Sequence, residues 1–130
     1  MLVDDDPVTN LINKKLIGRN PNFIVTAHTS ALDALIVLKE SKTSTPQNVP
    51  DAIFLDINMF VMDGWEFLEN FKMLDDRTFA KCKIFMLSSS IDLDDIEKSK
   101  TYTSVRDFIS KPLTPDKIKM LIGSESSVAI

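Results

Sequence analysis

A chain of 130 residues, 44% hydrophobic and 26% charged, fits one ordinary globular domain with a real core and has no room for a second. Its 15 basic against 19 acidic residues give a formal net charge of -4 with no basic cluster, so direct nucleic-acid binding is not expected. A single cysteine, Cys82, excludes an internal disulfide and a thiolate zinc cluster; with no apolar stretch near the roughly 18 residues of a membrane span and no leader pattern, a cytoplasmic protein without membrane insertion is expected.

The apolar start Met1-Leu2-Val3 runs directly into Asp4, Asp5 and Asp6. Adjacent carboxylates at a strand end repel one another unless something positive lies between them, which makes a divalent cation the first hypothesis. A hard ion such as Mg²⁺ takes oxygen ligands at roughly 2.0–2.1 Å and keeps several waters, so a few carboxylates suffice. Taken alone, an acidic triplet is as often a solvated loop or a helix cap. Pro7 suits a first helical position, and Val8, Leu11, Ile12 and Leu16 predict the apolar face of a helix ending at Gly18. Phe23 to Ala27 reads as a second strand. Ser30 can cap a helix with Ala31, Leu35 and Leu38 on one face, and Lys39 to Pro50, polar and without an apolar period, reads as a solvated loop.

Ala52-Ile53-Phe54-Leu55, bounded by Pro50 and Asp51 before and the Met62-Asp63-Gly64 turn after, reads as a buried parallel strand that places Asp56 at its C-terminal end. Trp65, Leu68 and Phe71 follow at helical spacing up to a polar break at Asp75-Asp76-Arg77. Ile84 to Leu87 predicts a fourth strand ending in Ser88-Ser89-Ser90, and Leu93 to about Lys100 a weaker helix behind Asp92. Val105 to Ile109 predicts a fifth strand leading through Ser110 into Lys111 and Pro112. Thr114-Pro115-Asp116 opens a last helix carrying Ile118, Leu121 and Ile122. From Gly123 a flexible tail is expected, which leaves residues 1–122 as the domain.

Five βα units in sequence argue for a doubly wound α/β sheet with right-handed crossovers and helices on both faces. Ligands in such sheets bind outside the carboxyl ends of the strands, where this chain offers acid, acid, hydroxyl and amine. Trp65 and the methionines at apolar positions read as core, Cys82 as a small structural residue, and His28, without a histidine or cysteine partner, as a surface or loop residue. The stretch Asp92 to Lys100, with both signs of charge, reads as a solvated helix face.

With these residues in order, the chain resembles the receiver domain of two-component response regulators over nearly its whole length. Leu2-Val3-Asp4-Asp5-Asp6, Leu55-Asp56, Met62-Asp63-Gly64, Leu87-Ser88-Ser89 and Lys111-Pro112 carry the likeness, each weak alone and together specific. The resemblance implies a flavodoxin-like five-stranded parallel sheet of order 2-1-3-4-5 and an aspartate, Asp56 by position, phosphorylated by a histidine kinase. It implies Asp5 as a direct Mg²⁺ ligand, Asp4 acting partly through water, and Asp56 and the Asn58 main-chain carbonyl as further ligands. It makes Lys111 the partner of Asp56 at rest and of a phosphoryl oxygen afterwards, Ser88 the switch hydroxyl where the family more often has threonine, and Phe108 the ring that follows it. The Lys111-Pro112 bond is implied to be cis. Two departures stand out: Phe60 occupies a loop position where the family usually has proline, and only Met1 to Val3 precede the acidic run, so a short first strand is expected.

The function these features imply is a phosphorylation-controlled switch, fed by a sensor histidine kinase or phosphotransfer protein and read by an unknown downstream protein, with no separate substrate turnover. No helix-turn-helix or catalytic domain follows Gly123, so a stand-alone receiver is expected, although a fragment of a larger regulator would look the same. A haloacid-dehalogenase-like phosphatase is one alternative, yet that family carries its nucleophile in an Asp-x-Asp on the first strand. A constitutive binding module that is never phosphorylated is another, and the complete acid, hydroxyl and lysine set argues against it.

Overall fold

A computed structural model of the chain describes residues 1–44, 46–74 and 77–123. Five parallel strands, β1 (Leu2–Val3), β2 (Ala27–His28), β3 (Ala52–Asp56), β4 (Lys83–Ser88) and β5 (Val105–Ser110), form one sheet in the order β2-β1-β3-β4-β5. The helices α1 (Pro7–Ile17), α2 (Ala31–Ser44), α3 (Gly64–Met73), α4 (Leu93–Ser99) and α5 (Pro115–Gly123) alternate with them. Short 3-10 turns lie at Pro46–Asn48 and Arg77–Phe79. This is the flavodoxin-like architecture and strand order expected. Asp75 and Asp76, and the tail beyond Gly123, lie outside the described residues.

Alternation along each inner strand explains the two-sided core. Ile53 and Leu55 on β3, with Ile84 and Met86 on β4, pack with α2 and α3 through Leu35, Leu38, Phe67, Leu68 and Phe71. Ala52 and Phe54, with Phe85 and Leu87, face the other way and pack with Ile17 of α1 and Ile118 of α5. Strands buried on both faces read as continuous apolar runs, which is why β3 and β4 were legible.

Five local expectations are corrected. α1 turns Asn10, Asn13 and Ile17 inward and leaves Val8, Leu11 and Ile12 exposed. The reason is hydrogen bonding: the Asn10 amide donates to the Asp4 carbonyl at 2.9 Å and to the His28 carbonyl at 3.1 Å, tying α1 to the ends of β1 and β2. β2 is shorter than Phe23 to Ala27 and shifted to Ala27–His28, because its neighbour in the sheet, β1, offers just Leu2 and Val3 for pairing. His28 is therefore a half-buried strand residue, and its Nε2 is buried without a partner among the described residues. α2 continues through the stretch expected to be loop as far as Ser44: Ser41 is buried and the Lys42 ammonium donates to the Leu74 carbonyl at 3.0 Å, so tertiary contacts sustain a helix that the polar sequence does not advertise. Of the methionines read as core, Met86 is buried whereas Met73 and Met120 are exposed. Trp65 is half-buried under Lys98, whose ammonium lies 4.5 Å from its ring centre.

Candidate functional site

The strand ends set the site before any side chain is considered. β1 and β3 are paired neighbours, with Val3 opposite Leu55, so Asp4, just past β1, and Asp56, the last residue of β3, emerge side by side. Asp56 pairs with Leu87 across β3 and β4, and Ser88 with Ser110 across β4 and β5, which brings Ser88 and the β5–α5 turn to the same edge. The acidic run divides by role. Asp6 caps α1, accepting from the Val8 N–H at 3.0 Å and the Thr9 hydroxyl at 2.9 Å, and these bonds hold its carboxyl below the usual range. Asp4, Asp5 and Asp56 instead place one carboxylate oxygen each within 4.8 Å of one another.

Gly64 makes the approach of α3 possible. A Cβ there would sit 2.8 Å from both the Asp56 carbonyl oxygen and the Ile57 Cα, and its N–H donates to the Ile57 carbonyl at 2.8 Å. Asp63, one residue earlier, caps α3 by accepting from the Glu66 N–H at 2.9 Å. The Met62-Asp63-Gly64 motif thus seats a helix start against the end of β3. The loop between is strained. Val61 has φ 67°, and the Met62 N–H donates to the Phe60 carbonyl at 2.7 Å, a three-residue turn of the unfavourable hand at a β-branched residue.

Lys111 ends opposite the carboxylates. Its ammonium lies 3.2 Å from Asp56 Oδ1, the pairing the resemblance implies, and 2.8 Å from Asp4 Oδ2, so it is shared and nearer Asp4. Its backbone N–H donates to the Ser88 carbonyl at 2.8 Å, and the Lys111-Pro112 bond is cis. Burial, then the neighbouring Asp4 charge, pushes the Asp56 carboxyl above its ordinary value, only partly offset by Lys111. Burial alone would lower the Lys111 ammonium, but the hydrogen bond to Asp4 and the charges of Asp56 and Asp4 outweigh it and raise it.

The other residues singled out from sequence fall around this centre. The Asn58 N–H donates to Asp56 Oδ1 at 3.3 Å, and the Phe60 N–H to Asp5 Oδ2 at 3.3 Å. The Ser88 hydroxyl is buried and turned into its own loop, donating to the Ser90 carbonyl at 2.6 Å. Phe108, opposite Met86 on β5, is partly buried against the larger core cluster. Two contributors had no signal in the sequence reading. Asn10 sits inside an apparently apolar helix period, and Lys117, which bonds the β5–α5 turn, belongs to no motif of the sequence. Three carboxylates that converge with oxygen donors only form a site whose chemistry suits a small hard cation.

Among the described residues no helix is long and apolar enough to cross a membrane. Comparison with known proteins agrees with the geometry. A probable C4-dicarboxylate response regulator DctR of Halalkalibacterium halodurans is 24% identical over 119 residues, 92% of this chain and 47% of the relative. A protein-glutamate methylesterase/protein-glutamine glutaminase of Xanthomonas campestris pv. campestris is 32% identical over 113 residues, 86% of this chain and 28% of its own length. The chain spans about half, or less, of the length of the curated relatives it matches. Among solved structures, a two component response regulator from Cytophaga hutchinsonii superposes with a TM-score of 0.85 at 29% identity, covering 98% of this chain and 95% of that one. A response regulator receiver protein from Dyadobacter fermentans gives 0.79 at 28% identity, covering 95% and 93%. The model of the response regulator receiver domain matches residues 1–123, from the first strand to the end of the last helix, and the chain belongs to that family of two-component signalling domains.

Proposed function

We propose that Asp56 is the phosphoacceptor of this receiver and that its phosphorylation switches the surface around Phe108. The observation that carries the reading is the buried Asp56 carboxylate at the end of β3, with an ammonium at 3.2 Å and two further carboxylates in reach. An Asp56 oxygen attacks phosphorus as the bond from phosphorus to the donor's imidazole nitrogen breaks, giving an acyl phosphate and returning the imidazole with its electron pair. Repulsion between an anionic donor and three carboxylates is the main obstacle. Mg²⁺, held by Asp5 directly, by Asp4 partly through water, by Asp56 and by the Asn58 main-chain carbonyl, would supply the neutralising charge.

Lys111 then transfers from the carboxylates to a phosphoryl oxygen, which suits a compact ammonium better than the planar fork of arginine. Ser88 exchanges its bond to the Ser90 carbonyl for one to the phosphoryl group, a contact that exists only in the modified state and can therefore shift a conformational equilibrium. Phe108 has no hydroxyl, so its part is a change of packing between a more exposed and a more buried ring. The phosphodonor is a histidine kinase or a phosphotransfer protein, and the switch acts in the cytoplasm. A downstream protein reads the altered surface, and no separate substrate is turned over.

Intact mass after incubation with acetyl phosphate and Mg²⁺ tests the reading. The parent gains one phosphoryl group, while Asp56→Asn, Asp5→Ala and the parent in EDTA do not. An equal gain in Asp56→Asn removes the assignment, and multi-turnover hydrolysis of small phosphoesters would favour a phosphatase instead.

A further inference from the structure

Lys117, in the first turn of α5, bonds the turn that carries Lys111. Its ammonium donates to the Ser110 carbonyl at 2.7 Å, to the Ser110 hydroxyl at 3.2 Å and to the Pro112 carbonyl at 3.0 Å. An ammonium has three hydrogens to give, and these three bonds use them all. The two carbonyls belong to the residues on either side of Lys111. With the Lys111 N–H bonded to the Ser88 carbonyl at 2.8 Å, the backbone beneath the site lysine is tied to β4 on one side and to α5 on the other.

Local helix chemistry gives Lys117 no reason to be there. A cation in the first turn of a helix opposes the helix dipole, and that turn is already capped by the Thr114 hydroxyl, which accepts from the Lys117 N–H at 3.2 Å. What the side chain gains is a set of charge-assisted bonds to the turn. None of those bonds reaches a site carboxylate, so any influence on the site passes through the backbone of Lys111.

We propose that Lys117 is a positioning residue for Lys111: by clamping the Ser110 and Pro112 carbonyls it fixes the point from which the Lys111 ammonium spans Asp4 and Asp56. The two contacts, at 2.8 and 3.2 Å, have little slack, and a displaced backbone keeps one and loses the other. For the reaction, the inference rests on the reading of Asp56 as phosphoacceptor.

Two measurements on the full chain separate the inference from that reading. In metal-free protein, NMR of the side-chain ammonium groups reports proton exchange at Lys111; Lys117→Met should speed that exchange severalfold and Lys117→Arg, whose fork can still reach two carbonyls, should preserve it. Lys117→Gln serves if the methionine variant does not fold. Phosphoryl gain from acetyl phosphate should slow by about tenfold in Lys117→Met, as misplacement of a reacting group does. The same substitution placed on Lys111→Ala should cost nothing further, because a residue acting through Lys111 has no effect once Lys111 is gone. Equal slowing in both backgrounds, or unchanged ammonium exchange, overturns the role of Lys117. If the parent gains no phosphoryl group, the proposed function fails and ammonium exchange alone still decides the role of Lys117.

Discussion

The two ends of the sheet bury charge in different ways. At the carboxyl ends, Asp4, Asp5 and Asp56 crowd together, Asp4 and Asp56 share one ammonium, and Val61 beside them holds φ 67°. At the opposite end, the Met1 ammonium is buried against the Ala52 carbonyl at 2.9 Å, beside a groove of about 620 Å³ that Phe23, Val25, His28 and Phe54 help to line. Burial pushes the Met1 ammonium down to about 6, against the weaker opposing pull of Cys82 and Asp51. The first end stores repulsion and backbone strain that a bound cation or a phosphoryl group can redistribute. The second bears a plain desolvation cost that nothing in the proposed switch relieves. Crowded carboxylates and a strained backbone together are what a candidate functional site is expected to show.

The sharpest way to break this contrast is Lys111→Ala. Removing the shared ammonium leaves Asp4 and Asp56 buried without it, and urea unfolding at pH 7 in metal-free buffer should show a loss of about 3 kcal/mol. Mg²⁺ should restore part of that loss, since an ion that binds only the folded state stabilises it. No Mg²⁺ effect on this variant would mean that the two ends do not differ in kind.

A smaller effect is expected from pH at the other end. Between the folded value of about 6 and the ordinary 8.0, the unfolded chain binds more protons at Met1 than the folded chain does, so stability should rise as pH rises from 6 to 8. A shift of this size corresponds to about 2–3 kcal/mol across the window. Acetylating Met1 removes the charge and keeps an N–H for the Ala52 carbonyl, so thermal melts of the acetylated chain should lack this component. Mg²⁺ should leave the Met1 component unchanged.

The smallest effect concerns the strained loop. Val61 and its neighbour Phe60 are 96% and 87% exposed, so no packing repays the unfavourable φ of a β-branched residue. Val61→Gly should stabilise the metal-free protein by about 1 kcal/mol in urea unfolding, the relief of strain exceeding the added freedom of the unfolded chain. A loss of stability would remove the loop from the strained end.

Helices α1 and α3 show where sequence reading succeeds and where it fails. In α3, Leu68 and Phe71 are buried as their spacing predicts, together with Phe67, because the helix packs on apolar strands and only apolar groups fit there. In α1 the same logic chose Val8, Leu11 and Ile12, which are exposed, while Asn10 and Asn13 are buried. The amide of Asn10 is needed inside by carbonyls of Asp4 and His28, a demand set by strands that neighbour α1 only after folding. Likewise, the extension of α2 to Ser44 depends on a contact between Lys42 and Leu74, 32 residues apart.

By itself the sequence determined the alternation of strand and helix, the identity of the inner strands and the chemistry of their ends. Those features are local, written in apolar runs, turn residues and the positions of Asp4, Asp5, Asp56, Ser88 and Lys111. Only the tertiary structure decided that Asp6 caps a helix, that Lys111 divides its ammonium between two carboxylates, and that Lys117 bonds the turn beneath it. The physical reason is reach. Spacing along the chain places a residue at a strand end, whereas distances of about 3 Å between groups up to 107 residues apart are fixed by the register and packing of the whole sheet.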